Sequence, residues 1–177
     1  QKLHMDDINI EIDPLSMDKV EKASKIVNDA IETGAPIYGV NTGFGKLANQ
    51  KIKPNEAKVL QKNLILSHCS GVGDPLDIKT TKLMMILKLL SLGIGASGVK
   101  WSTIKQLEKM INASVIPLIP HQGSVGASGD LAPLAHMTSV MIGEGWALYK
   151  GQKLKGIDAL LRAGINPIEL GPKEGLA

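Results

Sequence analysis

The chain has 177 residues, 44 % of them hydrophobic, enough to bury one sizeable core and too many for a disordered polymer. Its net charge of +3 is carried by lysines spread along the chain, and aromatics make up only 3 %, so there is no basic, aromatic-studded footprint for nucleic acid. The lone Cys69 excludes an internal disulfide and fits a reducing, cytoplasmic setting, while the most apolar run, 83–96, is broken by Lys88 and too short to span a bilayer.

No secretory leader is legible at the start, and an opening at Gln1 rather than methionine predicts that residues precede it. Ile8-Asn9-Ile10-Glu11-Ile12 alternates apolar and polar residues and predicts a short strand. Ser16 is the expected cap of a helix with Val20, Ala23, Val27, Ala30 and Ile31 inward and Gly34 as its stop. Tyr38-Gly39-Val40-Asn41-Thr42-Gly43-Phe44-Gly45 holds one of two tyrosines and the only phenylalanine; by composition it is turn chemistry around packed aromatics. Pro54 predicts the start of a second helix, with Ala57, Leu60, Leu64 and Leu66 inward, running to Ser67, His68 and Cys69. A histidine at a helix end reads first as a structural hydrogen-bonding group.

Asp77 opens a helix that is apolar nearly all round through Leu92, which predicts a surface for a partner. Gly93-Ile94-Gly95-Ala96-Ser97-Gly98 has dinucleotide-binding spacing, but it follows a helix rather than a strand and reads as a helix C-terminus. Trp101 and Ser102 precede a helix with Ile104, Leu107, Met110 and Ile111 on one face. A stretch with two prolines, 115–120, leads to the loop 123–130, and a helix over 131–142 follows with Leu134, Met137 and Met141 on one face and His136 as a packed histidine. Residues 146–154 predict a small β-hairpin turning at Lys150-Gly151, and a last helix over 157–163 stops at Gly164. The fold class is mainly α with short strands.

Gly123-Ser124-Val125-Gly126-Ala127-Ser128-Gly129-Asp130 is the stretch that carries chemistry. It places three glycines and two serines in seven residues, with Asp130 as a natural helix cap. Three readings fit the residues: a structural turn, an anion cradle at a helix N-terminus, or a loop that reacts with itself. The anion reading lacks the lysine of a Walker loop. In the third, the unhindered Gly129 amide attacks the Ala127 carbonyl, and loss of water from the ring and from Ser128 leaves an exocyclic methylene. Ala96-Ser97-Gly98 is a second Ala-Ser-Gly without these flanks and reads as structural.

The run from Gly123 through Asp130-Leu131-Ala132-Pro133-Leu134 to Met137 resembles the signature of the aromatic amino-acid ammonia-lyases, most of all the histidine-type members. The segments Tyr38–Gly45, Asn63–Gly73 and Gly171–Ala177 resemble further segments of that family, so the resemblance covers nearly the whole chain. It implies a self-made prosthetic group, 4-methylideneimidazole-5-one (MIO), built from Ala127, Ser128 and Gly129, with no external cofactor and no metal. It implies proton transfer for Tyr38 and a place in the substrate side-chain pocket for Ser67 and His68. His68 suits a histidine or tyrosine substrate, where phenylalanine-type enzymes look apolar. The implied reaction is elimination of ammonia from L-histidine to give urocanate.

The resemblance also implies the N-terminal, loop-bearing portion of an ammonia-lyase/fumarase-like helical fold, with residues 1–177 as one unit and a C-terminal helical core beyond it. That core would supply the arginine that meets the substrate carboxylate, since Arg162 matches no such position, and the long helices of a homotetramer. Alone, or without a complementing C-terminal chain, residues 1–177 are expected to have little or no activity. Lys100 stands where many relatives carry arginine. The alternatives are a tyrosine ammonia-lyase or aminomutase on the same scaffold, and a catalytically silent subunit.

Overall fold

The computed structural model describes residues 9–34, 36–38, 40–42, 57–125 and 131–175. Six helices and five short strands follow in order among them: α1 (Met17–Glu32), α2 (Ala57–His68), β1 (Val72–Pro75), α3 (Ile78–Gly93), α4 (Trp101–Asn112), β2 (Ile116–Pro117), β3 (Pro120–Gln122), α5 (Leu131–Met141), β4 (Trp146–Tyr149), β5 (Gln152–Lys155) and α6 (Gly156–Arg162). The core is aliphatic and methionine-rich, as so few aromatics require. Met85 and Leu89 of α3, Ile104, Leu107, Met110 and Ile111 of α4, and Met137 and Val140 of α5 meet in one cluster with Leu160 of α6.

Local sequence signals explain much of this. Asp77 caps α3: its carboxylate accepts from the Thr80 amide at 2.9 Å and the Thr80 hydroxyl at 2.7 Å, and those bonds, the hydroxyl's first, hold its pKa below the usual carboxylate range. The inward positions expected of α4 are all buried. The β4–β5 hairpin pairs Trp146 with Lys155 and Tyr149 with Gln152. Lys150 and Gly151 both adopt positive φ, at 48° and 75°, which is the geometry of a two-residue type I′ turn. β2 adds to this hairpin through Ile116 opposite Leu148, and β1 pairs antiparallel with β3 as a separate two-stranded ribbon.

Four expectations change. The described part of 8–12 forms no strand. Ile10 gives its N–H to Asn112 Oδ1 and its carbonyl accepts from Asn112 Nδ2, while the Ile12 N–H is taken by Glu108 Oε2. The alternation marked an extended segment that drops Ile12 into the core and pairs with side chains of α4 instead of a strand. Ser16 occupies the cap position of α1 without a side-chain bond; Asp13 accepts from Leu15 in the 3-10 turn Pro14–Ser16 that leads in. Leu66 is exposed, because the buried face of α2 runs through Gln61, Leu64 and Ile65, on the far side of the helix. α4 starts at Trp101 rather than after Ser102. Pro54 and the side chain of Ala57 lie outside the described residues.

The apolar helix α3 presents two faces. Met85, Leu89 and Leu92 are buried, while Leu83, Leu87, Leu90 and Ile94, at spacings of four, three and four, stay exposed. Gly93 and Gly95 close the helix as a C-terminus, with Gly95 at φ 75° against Lys19 and Val20 of α1, so the dinucleotide-like spacing is structural.

Candidate functional site

His68 is the last residue of α2. Its Nδ1 lies 2.8 Å from the Leu64 carbonyl, which can only accept, so Nδ1 carries a proton, and Nε2 is the acceptor in the tautomer this bond selects. The Ser67 hydroxyl donates to the same carbonyl at 2.9 Å and sits 3.1 Å from Nδ1, which fixes the ring from a second side. His68 lines a pocket of about 60 Å³ with Leu64 and Ile65 of α2, Leu131 and Leu134 of α5, and Gly175. One polar ring thus joins a mostly aliphatic wall, to which Ala135 and Thr138 also belong, the Thr138 hydroxyl donating to the Leu134 carbonyl at 2.8 Å. Leu131 is the residue directly after 126–130, so the pocket wall is continuous in sequence with the Ala-Ser-Gly loop.

Ala127, Ser128, Gly129 and the expected cap Asp130 lie outside the described residues, as do Gly39 and residues 43–56. The flanks of the loop are described. A Cβ on Gly123 would stand 3.2 Å from the Ala132 Cβ, 3.3 Å from the Gly71 Cα and 3.6 Å from the Pro133 Cδ. The strand leaving β3 therefore folds back onto the first turn of α5, an approach that glycine allows.

Ser67 is itself exposed, its hydroxyl donates to the Leu64 carbonyl, and it is not among the residues lining the pocket. Tyr38 is 60 % exposed, on a turn held by the Ile37 N–H donating to Asn41 Oδ1 at 2.7 Å, and it is not among the residues lining the His68 pocket. Arg162 donates to Gln152 Oε1 at 2.9 Å on the exposed side of the hairpin. No group of three His, Cys, Asp or Glu side chains that could hold a metal ion occurs among the described residues.

Three site-supporting residues carry no local signal. His136 of α5 accepts the Gly71 N–H at Nε2, 3.1 Å away, tying α5 to the turn after His68. Gln61, fully buried, accepts the Gly175 N–H at 2.8 Å. Glu174 is buried against the N-terminus of α4 and pairs with Lys100 at 3.3 Å, which gives that lysine a structural role.

Burial pushes the His136 pKa below its ordinary value of 6.5. The unfolded chain therefore takes up a proton near 6.5 that the folded chain refuses. The stabilisation is full above that pH and is lost as pH falls through 6.5 towards the folded value. Thermal melts of the chain are expected to show Tm falling as pH drops below 6.5, with a shallower slope in His136→Gln. Equal slopes in the two proteins would contradict the assignment.

The chain matches the family model described as aromatic amino acid lyase over residues 2–177. It is 55 % identical over 168 residues to a histidine ammonia-lyase of Bradyrhizobium diazoefficiens, covering 95 % of this chain and 32 % of that protein. The phenylalanine aminomutase of Pantoea agglomerans superposes with a TM-score of 0.91 at 34 % identity, over 97 % of this chain and 33 % of that one. The histidine ammonia-lyase of Trypanosoma cruzi gives a TM-score of 0.87 at 32 % identity, over 98 % and 33 %. The chain thus spans about a third of the length of these relatives.

Proposed function

Because the chain belongs to the aromatic amino acid lyase family, we propose that it is the N-terminal, loop-bearing third of a histidine ammonia-lyase, which eliminates ammonia from L-histidine to give urocanate. The observation that carries the substrate is His68. An imidazole side chain has an N–H to give, and the His68 ring, held at Nδ1 by the Leu64 carbonyl, keeps Nε2 as the acceptor of its neutral form on a residue that lines a mostly apolar pocket. Leu64, Ile65 and Leu134 exclude water around that bond, which strengthens it.

The residues fit the group this family implies. Gly123 packs against Ala132 and Pro133, so the loop that contains Ala127, Ser128 and Gly129 leaves and re-enters the fold at nearly the same point. Such closely held ends favour the compressed turn that cyclisation needs. The MIO ring would supply an electrophile that makes the α-amine a better leaving group. Residues 126–130 lead in sequence directly into the N-terminus of α5, whose positive dipole end would favour negative charge placed against it. His68 would orient the substrate ring, and Tyr38 would serve proton transfer.

Two further points belong to this reading. The exposed Leu83, Leu87, Leu90 and Ile94 form a heptad-spaced seam suited to one partner helix, which supports assembly with the remaining two-thirds of the enzyme into a homotetramer. No helix among the described residues is long and apolar enough to cross a membrane, and with one free cysteine this supports a cytoplasmic setting. An aminomutase is the second reading, favoured by the superposition on the Pantoea enzyme.

A chimera in which this chain replaces the matching third of the Bradyrhizobium enzyme tests the proposal. Ammonia and urocanate from L-histidine, with little product from L-tyrosine, are expected. A β-amino acid product would establish the aminomutase, and a folded chimera that prefers tyrosine would overturn the histidine assignment.

A further inference from the structure

The Glu174 carboxylate, one residue before the pocket-lining Gly175, has a side chain only 1 % exposed. Oε1 accepts from the Lys100 backbone N–H at 2.8 Å and from the Thr103 hydroxyl at 2.6 Å. Oε2 accepts from the Gly171 N–H and pairs with the Lys100 ammonium at 3.3 Å. Lys100 sits at the cap position of α4 and makes no capping bond with its own side chain; Glu174 takes the cap residue's N–H and the Thr103 hydroxyl, while the Trp101 N–H goes to Glu21 Oε1 at 3.0 Å. The Glu174 N–H donates back to the Gly171 carbonyl at 3.1 Å, which closes 171–174 into a single rigid turn.

The next residue leaves that turn directly into the pocket. Gly175 gives its N–H to Gln61 Oε1 at 2.8 Å and lines the cavity beside His68. A Cβ on Gly175 would come within 2.7 Å of Gln61 Oε1 and 3.1 Å of the Leu64 Cδ2, so it lies tight against α2. Gln61 is two helical turns before His68, on the same face of α2.

We propose that Glu174 is a positioning residue for the substrate side-chain pocket: by clamping the 171–175 turn onto the N-terminus of α4, it sets the wall that Gly175 presents to a ligand ring on His68. The proposal rests on reading the His68 pocket as the ring-binding site. A carboxylate holding four donors is rigid, and loosening it frees the turn without touching His68, Leu64 or Leu131.

The probe is imidazole itself, titrated into the 177-residue chain and followed by the His68 ring nitrogen resonances and the Gly175 amide. Glu174→Gln removes the charge and turns an amide group towards donors. It is expected to weaken imidazole binding by about tenfold in molecules that remain folded, and to speed exchange of the Gly175 amide. Glu169→Gln, a carboxylate paired with Lys58 on the surface, is the control and is expected to change neither. An unchanged imidazole affinity in folded Glu174→Gln would overturn the proposal and leave Glu174 a stabilising group only.

If Glu174→Gln does not fold, Thr103→Val, which removes one donor, takes its place with the same readouts. If the wild-type chain binds no imidazole, or if His68→Ala leaves the titration unchanged, the pocket reading fails on its own. The clamp is then judged by the Gly175 amide and the His68 resonances, whose constancy in Glu174→Gln would overturn it.

Discussion

Replacing His68 with leucine in the chimera is expected to lower kcat/KM for L-histidine by about a hundredfold, the effect of leaving a buried imidazole N–H without its acceptor. Leucine fills similar space, and the Ser67 hydroxyl still satisfies the Leu64 carbonyl, so the end of α2 keeps its shape. The loss should therefore fall on the substrate and not on the fold. An apolar ring loses nothing in the same pocket, whose other walls include Leu64, Ile65, Leu131 and Leu134. Activity towards L-phenylalanine is accordingly expected to rise relative to histidine. Steady-state kinetics with both substrates check this, and an unchanged preference would remove His68 from substrate recognition.

Ser128→Ala is expected to abolish turnover of the chimera. The electrophile requires that Ser128 lose its hydroxyl as water after the Gly129 amide has attacked the Ala127 carbonyl. Alanine has no hydroxyl to lose, so the ring cannot acquire its exocyclic methylene. The described pocket residues His68, Leu131 and Gly175 are untouched by the change. The variant should thus still bind imidazole while producing no urocanate. Retained turnover would show that the triplet is not the source of the electrophile.

What could be read from the sequence was local. Asp77 caps α3 through Thr80, three residues away, and the hairpin turns at Lys150-Gly151 because two adjacent residues accept positive φ. The inward face of α4 follows from helical spacing alone. The missed features join distant residues. Glu174 meets Lys100 across 74 positions, Gly175 meets Gln61 across 114, and Gly71 meets His136 across 65. No short-range pattern encodes such pairs. The strand Val72–Pro75 was missed because it carries a glycine and a proline, is fully exposed and exists only through its pairing with Pro120–Gln122.

The same contrast divides the site. His68 was singled out by the segment around it, yet its tautomer became legible only when the Leu64 carbonyl was seen at Nδ1. His136 read as a packed histidine. It is half-buried and packed, and it also accepts the N–H of Gly71, beside the loop's entry at Gly123.

The most direct test of the account is the intact mass of the 177-residue chain, followed by peptide mapping. The expected result is a deficit of two waters confined to the peptide that contains Ala127, Ser128 and Gly129, and absent from the peptide that contains Ala96, Ser97 and Gly98. The full theoretical mass, with Ser128 recovered as unmodified serine, would contradict it.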